Sequence, residues 1–170
     1  KEALKNIPSI HHVIINAPDD LLETEFEKKL YISRLQCEKI LQDEKGFYVP
    51  SLSSRVISYK GLILSKYITD FYPDLKNKKM KTSLCVFHQR FSTNTLPEWK
   101  LAQPFRYLAH NGEINTIQGN RNWYFARRNK LEIESLPELN KLHPLLSRDS
   151  SDSYTLDNML ELLLSGDMGI

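Results

Sequence analysis

Cysteine is nearly missing from this chain: Cys37 and Cys85 are the only two in 170 residues, and they stand far apart and outside any CxxC spacing. Their scarcity excludes the disulfide framework of a small secreted domain and a thioredoxin-like redox pair, and it fits a reducing, cytoplasmic compartment. Charge of one sign is also lacking. The 23 basic and 21 acidic residues leave a net charge of +2, too balanced to demand a polyanionic partner. No apolar run is long enough to cross a bilayer, and Lys1-Glu2-Ala3-Leu4-Lys5 has no signal-peptide core, so a soluble protein without a membrane partner is expected. There is no Gly/Ser linker, repeat or low-complexity tract. There is no initiator Met either, and the chain stops directly after a helical pattern, so both ends are expected to be cut. What is present, 41% hydrophobic and 10% aromatic residues with 26% charged, suffices for the core of one domain or a large part of one.

Local patterns predict alternating strands and helices. Residues 13–15 form a short β-branched run closed by the turn-forming Asn16-Ala17-Pro18-Asp19. Asp20 and Glu23 have capping-box spacing, and Leu22, Phe26, Leu30, Cys37 and Leu41 share one helical face up to Glu44, before Gly46 breaks the pattern. Residues 47–52 and 55–64 read as strands, with Gly61 at a bulge, and 65–75 as a short helix. Residues 83–88 read as a buried strand delivering the polar loop 89–104, and 105–109 as a strand leading into His110-Asn111-Gly112. Helical signals return over 115–131. Pro137 and Pro144 mark irregular chain, and Asp152 or Ser153 would cap a last helix with Leu156, Met159, Leu160, Leu163 and Leu164 on its apolar side.

Three polar groups are candidate sites, each with a plainer alternative. Asn-Gly between extended segments is a type I′ hairpin signal, yet an Asn amide beside a glycine N–H also makes paired donors for a developing oxyanion. Arg90, inside Arg90-Phe91-Ser92-Thr93-Asn94-Thr95, would present a guanidinium fork to a small carboxylate or else form a surface salt bridge. Asp149, Ser151 and Asp152 precede a helix and would serve as N-caps if they serve nothing else. The five histidines lack metal-ligand spacing and read as structural. In residues 120–128 arginines alternate with aromatics. Inward-packed aromatics with solvated arginines explain this more simply than nucleic-acid binding.

Longer stretches carry a resemblance. Phe87-His88-Gln89-Arg90-Phe91-Ser92-Thr93-Asn94-Thr95, Leu101-Ala102-Gln103-Pro104-Phe105-Arg106 and Leu108-Ala109-His110-Asn111-Gly112-Glu113-Ile114-Asn115-Thr116 resemble the glutamate synthase large-subunit family. Tyr48-Val49-Pro50-Ser51-Leu52-Ser53-Ser54-Arg55, Tyr59-Lys60-Gly61, Ser151-Asp152-Ser153 and Leu156-Asp157-Asn158-Met159-Leu160-Glu161 extend the likeness over most of the chain. The resemblance implies an α+β class: a four-layer αββα N-terminal-nucleophile hydrolase fold, with 1–170 as part of a single class II glutamine amidotransferase domain. It implies L-glutamine as substrate, with the ammonia channelled to 2-oxoglutarate by downstream synthase domains of the same chain. FMN and an iron–sulfur cluster would serve the full-length enzyme, with no cofactor in this segment. Either ferredoxin or a small NADPH-oxidising subunit would supply electrons, Ala109 and Phe105-Arg106-Tyr107 looking more like the bacterial NADPH type.

By the same resemblance Asn111 and Gly112 match the oxyanion-hole pair, Arg90 the binder of the substrate α-carboxylate, and Asp152 the binder of its α-ammonium. Thr93 and Asn94 match positions lining the same pocket. The family's nucleophile is a cysteine bearing the chain's own α-amine, which neither Cys37 nor Cys85 is, so it is expected upstream and residues 1–170 alone are expected to be inactive. The alternatives are another class II amidotransferase, of the kind making asparagine or glucosamine phosphate, or a glutamine-binding module without catalysis.

Overall fold

The structure, a computed structural model, describes residues 7–89, 97–111, 113–146, 148 and 150–168. The expected site residues Arg90, Thr93, Asn94 and Gly112 lie outside the described residues, as does Asp149. Among the described residues there are four α-helices, α1 Glu23–Ile40, α2 Ile68–Phe71, α3 Ile117–Arg127 and α4 Asp152–Ser165, with short 3-10 turns between them. None of the described residues is assigned to a β-strand. The strands expected at 13–15, 47–52, 55–64, 83–88 and 105–109 are instead irregular chain. A strand is stable only against a neighbour that takes its backbone groups and covers a face. Here the apolar runs lie open, with Ile14 91%, Phe87 82% and Leu84 75% exposed. Residues 105–108 close a tight turn, the Phe105 N–H donating to the Leu108 carbonyl at 2.9 Å. Gly61 is no bulge: a Cβ there would stand 2.8 Å from Trp99 Cζ3, so the absence of a side chain lets that ring close in.

Helix α1 has Glu23 and Glu25 in its first turn and Lys39 in its last, complementing the helix dipole, but Leu22 is its N-cap and no side chain caps it. The capping box expected from Asp20 and Glu23 is therefore not made. Past its end Gly46 sits at φ +85, left-handed backbone that a side chain would strain. The face that α1 buries is only partly the predicted one. Leu30 is buried and Phe26 and Leu41 are half-buried as expected, but Leu22 is 66% exposed and Cys37 is exposed, while Tyr31, Ile32 and Arg34 turn inward instead. Helix α4 departs likewise: Ser151, not Asp152 or Ser153, is the N-cap, accepting from the Tyr154 N–H. Its buried residues are Ser153, Thr155, Asp157, Glu161 and Leu162, and Leu156 faces solvent.

Ionic pairing turns these faces inward. Arg34 donates to Glu161 across the α1–α4 contact at 2.5 Å and to Glu38 one turn along α1 at 2.6 Å. Arg106 reaches into the same place, with Nη2 donating to the Val49 carbonyl at 2.7 Å and Nε 3.6 Å from Glu161 Oε1. The apolar core lies beside this cluster and draws heavily on the irregular chain around Pro137 and Pro144: Leu136, Leu139, Leu145 and Leu146 join Tyr31, Ile32, Tyr124 and Leu162. On α3 the expected solvated arginines and inward aromatics are partly exchanged. Arg121 is buried, while Trp123 is 61% exposed under the Arg127 guanidinium, 4.3 Å from its ring centre.

Breaking a buried ion pair from one side strands the partner's charge, at a cost of about 3–5 kcal/mol. Arg34→Met or Glu161→Leu is expected to lower the urea unfolding free energy by about that much, and the double variant by less than either single change. Additive losses would mean the two side chains do not act as a pair.

Candidate functional site

The His110–Asn111 segment is held from three directions. From the polar loop, Gln103 uses its whole amide: Oε1 accepts the His110 N–H and Nε2 donates to the His110 carbonyl, both at 2.6 Å. This pairing imitates a rung of antiparallel sheet with a side chain in place of a strand. From the open segment 83–88, His88 Nε2 lies 2.6 Å from Asn111 Oδ1. From α4, Ser153 Oγ approaches the His110 carbonyl at 3.4 Å, and Asp152 Oδ2 accepts the Ile114 N–H at 3.1 Å.

Of the sequence-predicted site residues, the structure thus brings together Asn111 and Asp152, through the backbone loop between them. Asp152 is further placed by Arg121, whose Nη2 stands 3.7 Å from Asp152 Oδ1 while donating to the Ser150 carbonyl at 2.5 Å and to Thr155 Oγ1 at 2.7 Å. Arg121 therefore locks the start of α4 against the end of the loop. Its place among alternating arginines and aromatics predicts a solvated side chain, because helical spacing carries no sign of partners on another helix.

The same reasoning passed over Asp157, which is fully buried and accepts three successive backbone N–H groups: Arg106 at 3.2 Å, Tyr107 at 2.8 Å and Leu108 at 3.2 Å. These bonds shape the 105–108 turn that feeds His110 and Asn111. Gln103, His88 and Asp157 are all members of recognisable stretches, but no local pattern marks a side chain whose partner lies outside its own turn or helix, whether that partner is the His110 backbone, the Asn111 amide or the 105–108 turn.

A separate cleft of about 440 Å³ opens beside the ionic cluster, walled by Phe47, Tyr48, Phe105 and Tyr154 with Lys60 and Arg106 among its lining residues. Lys60 is 5% exposed, and its ammonium donates to the Lys100 carbonyl at 3.1 Å and lies 5.0 Å from the Phe105 ring centre. No salt bridge to Lys60 is found among the described residues. Burial, with repulsion from Arg106, lowers the Lys60 pKa to about 8, against weaker support from Asp157 and Glu38. Neither Asn111 nor Asp152 lines this cleft.

A family model for class-II glutamine amidotransferases matches residues 1–170. Among curated proteins the chain is 45% identical over 165 residues to ferredoxin-dependent glutamate synthase 2 of Synechocystis, matching 96% of this chain and 10% of that protein. It is also 45% identical to the glutamate synthase [NADPH] large chain of Bacillus subtilis, matching 95% of this chain and 11% of that one. To the glutamate synthase [NADH] of Saccharomyces cerevisiae it is again 45% identical, over 83% of this chain and 7% of that protein. The chain thus spans about a tenth of the length of the relatives it matches. Equal likeness to proteins named for three electron donors removes the weight that Ala109 and residues 105–107 lent to the NADPH type.

The Lys60 environment makes folding stability depend on pH. An unfolded lysine keeps its proton up to about pH 10.4, whereas folded Lys60 loses it near pH 8. Between those values the unfolded state binds more protons, so this group's penalty on folding fades as pH rises, and below pH 8 it is present in full. Lys60→Met, which keeps the stem and removes the charge, is expected to stabilise the protein by about 1–3 kcal/mol at pH 7, with the gain vanishing toward pH 10. Urea midpoints of both proteins across that range check it, and a gain that is flat with pH would contradict it.

Proposed function

Since the chain belongs to the class-II glutamine amidotransferases, we propose that residues 1–170 form part of a single glutaminase domain and build its glutamine pocket and oxyanion site, within a protein that makes glutamate. The observation that carries the reading is the contact of Asp152 with the Ile114 N–H, which holds an acidic side chain at the head of α4 against the loop bearing Asn111. Glutamine presents an amide to be cleaved at one end and a carboxylate and ammonium on one carbon at the other. A site selective for it needs oxyanion donors and a pair of opposite charges within one substrate length. Asn111 Nδ2 and the Gly112 N–H supply the donors, Arg90 the fork for the carboxylate, and Asp152 the partner of the ammonium, with Thr93 and Asn94 lining the pocket.

The chemistry follows from these roles. A thiolate attacks the side-chain carbonyl carbon, and the oxygen takes the negative charge toward Asn111 and Gly112. Collapse of that intermediate, with a proton passed to the departing nitrogen, releases ammonia and leaves a glutamyl thioester, which water hydrolyses to glutamate and the free thiol. The thiol belongs to a cysteine bearing a free α-amine, and neither Cys37 nor Cys85 has one. In the whole protein the ammonia would reach 2-oxoglutarate in downstream domains. FMN and an iron–sulfur cluster would carry electrons there from ferredoxin or a small NADPH-oxidising subunit. Two cysteines are too few for the usual four-thiolate ligation of such a cluster, so no residue of this chain is assigned to it. The four-layer αββα arrangement belongs to the same proposal, and the exposed runs at 13–15 and 83–88 are the segments its sheets would cover.

Asn111→Ala in the full-length protein is expected to lower kcat for ammonia release by about 10²–10³ with a smaller change in glutamine KM. Unchanged turnover would reduce Asn111 to a turn residue. Asp152→Asn keeps an amide oxygen to accept the Ile114 N–H, while the ammonium, and Arg121 3.7 Å away, lose the counter-charge. It is expected to weaken glutamine binding by about 2–5 kcal/mol with the protein still folded, as is Arg90→Lys, whose ammonium cannot reproduce a planar fork. Normal glutamine KM in both variants would remove the clamp.

A further inference from the structure

Asn111 has a two-ended side chain, and only one end can serve an oxyanion. Rotation about its last torsion is broad and nearly two-fold, so an unrestrained amide presents oxygen as readily as nitrogen. Oxygen facing a developing negative charge is repulsive; nitrogen donates. The contact of 2.6 Å between His88 Nε2 and Asn111 Oδ1 removes the ambiguity. An amide oxygen only accepts, so Nε2 must carry the proton in this pair, and the Nδ2 hydrogens are left pointing away from His88. The backbone beneath is fixed independently, because Gln103 bonds both polar groups of His110, the residue before.

We propose that His88 is a positioning residue for glutamine cleavage, donating to Asn111 Oδ1 so that Asn111 Nδ2 is the end offered to the oxyanion. This rests on the reading of Asn111 as an oxyanion donor. His88 touches no reacting atom in this scheme. Its effect passes through Asn111, is felt where charge develops, and so falls on kcat rather than on the binding of glutamine.

The test is steady-state glutamine hydrolysis by the full-length protein and its variants His88→Leu, His88→Asn, His88→Gln, Asn111→Ala and the double variant His88→Leu/Asn111→Ala. A glutamine side chain places an amide N–H near the position of Nε2, whereas asparagine is too short. His88→Leu and His88→Asn are therefore expected to lose roughly 10- to 100-fold in kcat with KM within about threefold, and His88→Gln to recover most of the loss. The double variant is expected to match Asn111→Ala alone, since with Asn111 gone His88 has nothing to orient. Should His88→Leu fail to fold, the Asn and Gln variants decide the matter between them. Equal rates for those two, or losses that multiply in a folded double variant, would overturn the positioning role. If Asn111→Ala itself left turnover unchanged, the oxyanion reading would fall, and this inference with it. If Asn111→Ala were slow and every His88 variant fast, only the inference would fall.

Discussion

A carboxylate with no exposure to solvent stands at the centre of this chain. Asp157 takes the backbone N–H groups of Arg106, Tyr107 and Leu108, and so ties α4 to a turn fifty residues earlier in sequence. The next turn of α4 carries Glu161, which takes Arg34 from α1 and faces Arg106 from below the same turn. One turn before Asp157 lies Ser153, which meets the His110 carbonyl. Residues 153, 157 and 161 are spaced four apart and lie on one helical stripe. A single stripe of α4 therefore binds the first helix, the 105–108 turn and the loop carrying Asn111, and a displacement of one disturbs the others.

Ionic cores are often replaceable by apolar ones, because desolvating charges consumes most of what their attraction returns. The Arg34–Glu161 contact is of that kind. Asp157 is different, since its partners are mainly peptide groups that have nowhere else to turn. A leucine at 157 would fill space but take the acceptor from three part-buried N–H groups, each loss costing up to about 1–3 kcal/mol. An asparagine would present a donor on one side where only acceptors are useful. The acidic side chain is thus required by backbone geometry, and the guanidinium of Arg106, 4.0 Å away, is there to balance it.

This division explains what was legible in the sequence. Helix positions were, because glycine and residue spacing act locally even where the expected caps were not the ones used: α3, α4 and α1 fall within the predicted ranges. Their buried faces were legible only in part: Leu30 and Met159 pack inward as expected, but periodicity finds apolar residues, and the stripes turned inward here also carry Arg34, Asp157 and Glu161. The strands failed for a related reason. Residues 13–15 and 83–88 have the right composition, but strand formation is a property of two segments at once, and no neighbour pairs with them among the described residues. In the site, residue chemistry marks Asn111 and Asp152 only as candidates, with a turn and an N-cap as plainer readings, whereas Gln103, His88 and Arg121 act on partners outside their own local pattern and leave no trace in it.

The helix start also bears on how Asp152 is to be understood. A polar residue ahead of a helix is most simply an N-cap, and capping would be sufficient reason for an aspartate there. That position is filled by Ser151, whose hydroxyl accepts the Tyr154 N–H. Asp152 is one residue inside the helix, its carboxylate turned back toward the loop, with one oxygen on the Ile114 N–H and the other 3.7 Å from Arg121. Its side chain keeps 27% of its surface open to solvent. A carboxylate oxygen offers two lone pairs, and a single N–H contact leaves room for a further donor. With the cap supplied by its neighbour, capping does not account for the charge at 152; Arg121 already faces one of its oxygens, and the ammonium of the proposed clamp would be a second cation for the same carboxylate.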